Sequence, residues 1–69
     1  MGDSVYKVIE LVGTSTESWE KAATSAVERA SKTLRGLRIA EVTSQDLAIE
    51  NGKVKAFRAK VKVSFKFED

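Results

Sequence analysis

The chain has 69 residues, with twelve basic and ten acidic side chains and a net charge of +2. It contains no cysteine and no histidine, which excludes disulfides, zinc-thiolate centres and thiol nucleophiles and removes the commonest general base near neutral pH. One domain, residues 1–69, is all this length allows, and a domain so small buries only about 60% of its unfolded surface, so self-association is the expected staple.

Residues 5–12, VYKVIELV, predict a first strand. Val5, Ile9 and Leu11 face one way and Tyr6, Val8 and Val12 the other, the pattern of a strand covered on both faces. A polar turn, residues 13–18, leads into a helix. Ser18 is the preferred N-cap, with Glu20 in the first turn; Thr14 with Glu17 three residues later is a rival capping box. The helix carries an apolar stripe of Trp19, Ala22, Ala23, Ala26, Val27, Ala30 and Leu34, at the spacing of one buried face. Glu28 and Lys32 pair on its wet side, Lys32 and Arg35 suit its C-terminus, and Gly36 suits a left-handed residue just beyond it.

Residues 37–49 predict a long second strand whose apolar face changes partway, which implies a bend or bulge near Ser44. Glu50-Asn51-Gly52-Lys53 is a tight hairpin signal. The third strand, residues 54–67, alternates cleanly. Phe57, Ala59, Val61, Val63, Phe65 and Phe67 share one face, and Arg58, Lys60, Lys62, Ser64 and Lys66 the other. The elements specify an α+β subunit, β-α-β-β, with a three-stranded antiparallel sheet wrapped on one amphipathic helix. Strands this long outrun a single helix and leave edges and apolar flanks for other copies.

The segments VYKVIELVGTS, SWEKAATSAVERASKTLR, LRIAEV and FRAKVKVSFKFE occur in order over nearly the whole chain, and they resemble the dodecin family. That resemblance implies a hollow homododecamer. In many members it also implies storage of riboflavin or FMN, bound in pairs at two-fold interfaces without turnover. In flavin-binding members a tryptophan opening the second strand stacks on the ring and a glutamine on the third strand bonds its polar edge. The matching positions here are Ile39 and Arg58. Isoleucine offers no π-face, and arginine is a donor only. A tryptophan-less branch includes a calcium-binding member, and this chain is similar to it in the SWE helix start, the aliphatic residue 39 and Arg58.

The candidate flavin pocket is therefore Ile39, Arg58, Glu41 and Gln45, the last two read as sharing one strand face. The candidate metal ligands are Glu17, Asp46 and Glu50. Calcium needs six to eight oxygens, and no loop has the spacing of a self-contained site, so the ligands would be shared between subunits. Trp19, Tyr6, Phe57 and Phe65 are expected at oligomer interfaces. The expected function is a non-catalytic flavin-holding shell. The alternatives are a calcium-holding shell and a structural oligomer without a dedicated ligand. The basic row on the third strand lacks interleaved aromatics, so no nucleic-acid partner is expected. No apolar run reaches the ~20 residues of a membrane span, and the N-terminus has no secretory pattern, so a cytoplasmic location is expected.

Overall fold

In the computed structural model, residues 3–66 are described. Four elements follow one another: β1 (Tyr6–Ser15), α1 (Trp19–Ser31), β2 (Leu37–Glu50) and β3 (Lys53–Lys66). The sheet is antiparallel throughout, in the order β1-β3-β2. β3 is central because the Asn51-Gly52 turn folds it onto β2 while α1 returns the chain to lay β1 on its other edge. Asn51 and Gly52 both have positive φ, 54° and 75°, the combination that matches a two-residue turn to strand twist.

α1 lies on one face of the sheet. Its N-cap is Ser18, whose hydroxyl accepts from the Lys21 backbone N–H at 3.0 Å. The rival cap is not used, because Thr14 is still paired in β1 opposite Arg58. Ala22, Ala26 and Ala30 form the buried stripe; Ala22 and Ala26 meet Ala59, Val61 and Val63 of β3, with Ile9, Leu11, Ala23, Val27 and Leu37 around them. An alanine face brings the helix backbone close to the sheet. Gly13 completes that approach, since a Cβ there would lie 2.0 Å from the Ala22 carbonyl oxygen and 3.0 Å from the Ala26 Cβ.

Three expectations change. β1 is an edge strand, and only one of its faces is covered: Ile9 and Leu11 pack on the core, while Tyr6, Val8 and Val12 are exposed. The helix stops at Ser31, so Leu34 lies in the turn beyond it, its N–H bonded to the Ala30 carbonyl at 2.9 Å. Gly36, with φ 73°, is left-handed as expected, but it turns the chain into β2 rather than capping the helix. Phe67 lies outside the described residues.

The expected bulge near Ser44 is present between Val42 and Ser44, and two more fall between Leu37 and Ile39 and between Ala48 and Ile49. The bulges at Val42/Ser44 and Ala48/Ile49 compensate each other. At the tip Glu50 faces Lys53 and Ile49 faces Val54; the next pair is Ala48 with Ala56, which leaves Lys55 as the extra residue on β3. The register stays shifted through Asp46↔Arg58 and Ser44↔Lys60, and Thr43 as the extra residue on β2 restores it at Val42↔Val61. Thr43 Oγ1 donates to the Lys60 carbonyl at 3.3 Å.

At about 3.3 Å per strand residue and 1.5 Å per helix residue, each 14-residue strand outruns the 13-residue helix more than twofold. The molecule is accordingly long and thin, 54 × 20 × 14 Å. The β2–β3 hairpin beyond the start of α1 is an arm without a helix beneath it. No helix among the described residues is long and apolar enough to cross a membrane.

Candidate functional site

The uncovered face of the sheet gathers most of the residues with chemistry. Cross-strand partners share a face, so the open side carries Tyr6, Val8, Glu10 and Val12 of β1, Arg58, Lys60, Lys62 and Ser64 of β3, and Ile39, Glu41 and Asp46 of β2. Lys62 sits between two carboxylates, Glu10 and Glu41. The basic row read from the sequence is thus interleaved with acids from both neighbouring strands. Val8, Ser64 and Ile39 form one row across all three strands, in which a half-buried serine lies between two exposed aliphatic side chains, Ile39 being 66% exposed.

Arg58 is tied down. Its Nε donates to Asp46 Oδ1 at 2.7 Å and its Nη2 to Oδ2 at 2.8 Å, a fork-on-fork pair that is the strongest geometry for these groups. The guanidinium holds the Asp46 carboxyl below its ordinary value, with Lys60 adding to the effect, and Asp46 raises Arg58. Asp46 thus pairs with the residue expected at the flavin edge rather than standing free for a metal. The pairing follows from the register shift: in an unbulged hairpin closing on Glu50 and Lys53, Asp46 would face Phe57.

Behind the pair stands Trp19. Its Nε1–H donates to the Asp46 carbonyl at 3.1 Å, and its ring meets Phe57 edge-on, with centroids 5.1 Å apart and planes at 79°. Trp19, Phe57, Asp46 and Arg58 therefore form one cluster joining the start of α1 to β2 and β3. Sequence reading placed Trp19 and Phe57 as separate interface aromatics and found neither the indole bond nor the ion pair. The only signal for the ion pair was opposite charge across a hairpin, and it was hidden by the one-residue shift at Lys55.

The other candidates are dispersed. Ile39 faces Ser64, six positions along β3 from Arg58, or about 20 Å at 3.3 Å per residue, so one chain does not bring them together. Glu41 and Gln45 do not share a face: Glu41 faces Lys62 on the open side, whereas Gln45 faces the buried Ala59. Thr43, the extra residue between them, flips the alternation. Glu17 pairs with Lys21 in the loop before α1, and Glu50 pairs with Lys55 near the hairpin tip. Among the described residues no group of three or more acidic side chains is placed to hold a metal ion. Tyr6 is exposed at the far end of the open face and Phe65 half-buried opposite Leu37.

On the helix side, α1 covers β1 and β3 and leaves β2 largely bare. A groove of about 380 Å³ runs between α1 and β1, lined by Ile9, Leu11, Ala26, Ala30 and Leu34 with Arg29 at its rim. Another of about 400 Å³ runs between α1 and β2, lined by Ala23, Val27, Ala40, Val42 and Val61. Each is an apolar flank of the helix that a single chain does not fill.

The family model described as Dodecin matches residues 5–68. Calcium dodecin of Mycobacterium tuberculosis is 48% identical over 63 residues, 91% of this chain and 89% of that protein. Its crystal structure, described as calcium-chelating with a novel calcium-binding site, superposes with a TM-score of 0.83 over 94% of this chain and 93% of that one. Dodecin of Thermus thermophilus is 43% identical over 65 residues, 94% of each chain. The structure of dodecin from Streptomyces coelicolor is 40% identical, with a TM-score of 0.90 over 100% of this chain and 99% of that one.

Proposed function

Because the chain belongs to the dodecin family, we propose that it is a non-catalytic, cytoplasmic, homo-oligomeric shell, a dodecamer as its resemblance implies, whose ligand is held between copies. The observation that carries this reading is the apolar surface a single chain leaves open: Ile39, Ile49 and Val54 are 66%, 68% and 55% exposed, and both helix flanks are grooved. Exposed apolar side chains and unfilled grooves of this kind are what contact with other copies would cover. A sequence without cysteine or histidine favours holding over turnover.

Calcium is the ligand this reading favours. A calcium-chelating relative at 48% identity supports it. Glu17, Asp46 and Glu50 form no group placed to hold a metal in one chain, and each is paired with a cation there, so the six to eight oxygens calcium takes would come from several copies and from backbone. Calorimetric titration with calcium, beside magnesium, tests this. Saturable heats specific to calcium are expected, and heats equal to buffer dilution for both ions would contradict it.

The Val8–Ser64–Ile39 row favours a second reading, flavin sequestration, since two exposed aliphatic side chains flanking a small serine suit a flat ring. On that reading Ile39→Trp raises affinity for riboflavin and FMN at least tenfold, within the roughly 1–3 kcal/mol a stacked ring contributes. Flavin that tumbles freely beside both proteins, by fluorescence anisotropy, would remove it. A shell that takes neither ligand would be a structural oligomer.

A further inference from the structure

The hairpin arm raises a mechanical question. Beyond the start of α1 it has no helix beneath it, and its apolar residues Ile49 and Val54 are exposed near the tip. Among the described residues one side-chain hydrogen bond joins α1 to β2, from Trp19 Nε1 to the Asp46 carbonyl. Asp46 is held in turn by both guanidinium bonds of Arg58 on β3, and the indole is braced edge-on by Phe57 of the same strand. Three elements are thus fastened where the arm leaves the helix.

We propose that Trp19 is a positioning residue. With Asp46, Arg58 and Phe57 it forms a latch that fixes the arm against the helix and so sets the direction in which the arm reaches a neighbouring copy; this last step rests on the shell reading. The bulge pair belongs to the same device. It shifts Asp46 by one residue, opposite Arg58 rather than Phe57, which puts the carboxylate on the guanidinium and leaves Phe57 free to face the indole. The carboxylate acts on Trp19 through the backbone of its own residue: the Arg58 bonds restrain Asp46 beyond what the β2–β3 ladder does, and once Arg58 releases it the carbonyl that accepts the indole N–H loses that added restraint.

The test reads the latch and the assembly separately. Trp19 is the only tryptophan, so its near-ultraviolet circular dichroism and emission are site-specific. Asp46→Asn and Arg58→Gln are expected to weaken the indole band and shift emission to the red. Glu50→Gln, which unpairs Glu50 from Lys55 in the same arm, is expected to leave both unchanged. Wild-type signals in the first two variants would overturn the latch. Should either variant fail to fold, the indole N–H exchange rate in wild-type protein decides: at least tenfold protection over a free indole is expected, and free-indole exchange overturns the proposal. For assembly, Trp19→Phe keeps an aromatic ring against Phe57 and removes the donor. It is expected to raise the concentration for half-assembly at least tenfold, and assembly equal to wild type would refute the positioning role. A monomeric wild-type chain with a protected indole would instead sink the shell reading and leave the latch standing.

Discussion

At Gly13 a single added carbon decides whether helix and sheet can meet. A Cβ would lie 2.0 Å from the Ala22 carbonyl oxygen, a contact relieved only by lifting α1 from β1. Gly13→Ala is expected to destabilise the fold by about 1–3 kcal/mol, the usual range for overpacking, with the loss seen in denaturant unfolding. The sequence showed this glycine only as punctuation before a turn. Its real position, inside β1 and under the helix, depends on a packing distance that no local pattern encodes. At Asp46 the folded carboxyl titrates below its ordinary value of 3.8, chiefly because Arg58 bonds the ionised form. A depressed carboxyl contributes stability that is present above the unfolded pKa and lost as pH falls through the folded one. Wild type should therefore exceed Asp46→Asn in stability at neutral pH, and the gap should close as pH drops below about 4. Thermal melts of both proteins across pH check this, and a gap constant down to pH 2 would contradict it.

Among the elements, the helix and hairpin were legible because their signals are local. Ser18 caps α1 through Lys21, and Ser18→Ala should cost about 1 kcal/mol, read as a lowered unfolding midpoint. Asn51 and Gly52 adopt the two positive φ values that the dipeptide announces, and Gly52→Val should weaken the hairpin by a comparable amount, since β-branched residues resist that region. The clean alternation of β3 likewise gave its buried face, Phe57 through Phe65, directly. β2 was harder. Its bulge near Ser44 could be read from the change of apolar face, but the compensating bulge at Ala48 and Ile49 could not, because a one-residue register shift leaves no mark in composition. That missing shift is why Asp46 and Arg58 were assigned to two different ligands when they bond each other; Glu41 and Gln45 were placed together because the extra residue at Thr43, which flips the alternation between them, was not counted.

For the whole molecule, the sequence foretold the need for company more clearly than its ligand. Two 14-residue strands over a 13-residue helix leave an open sheet face, two grooved flanks and a bare arm. Candidate site residues spread along that frame, about 20 Å apart in the case of Ile39 and Arg58, and they can act together only through another copy. The ligand therefore cannot be assembled from one chain, which is the physical reason sequence reasoning ended with alternatives. The central claim is that this chain works as a homo-oligomeric, ligand-holding shell, and native mass spectrometry after equilibration with calcium and FMN tests it most directly. The account predicts a discrete homo-oligomer, at twelve copies, carrying calcium in excess of a magnesium control. A spectrum of single chains at every concentration would contradict it.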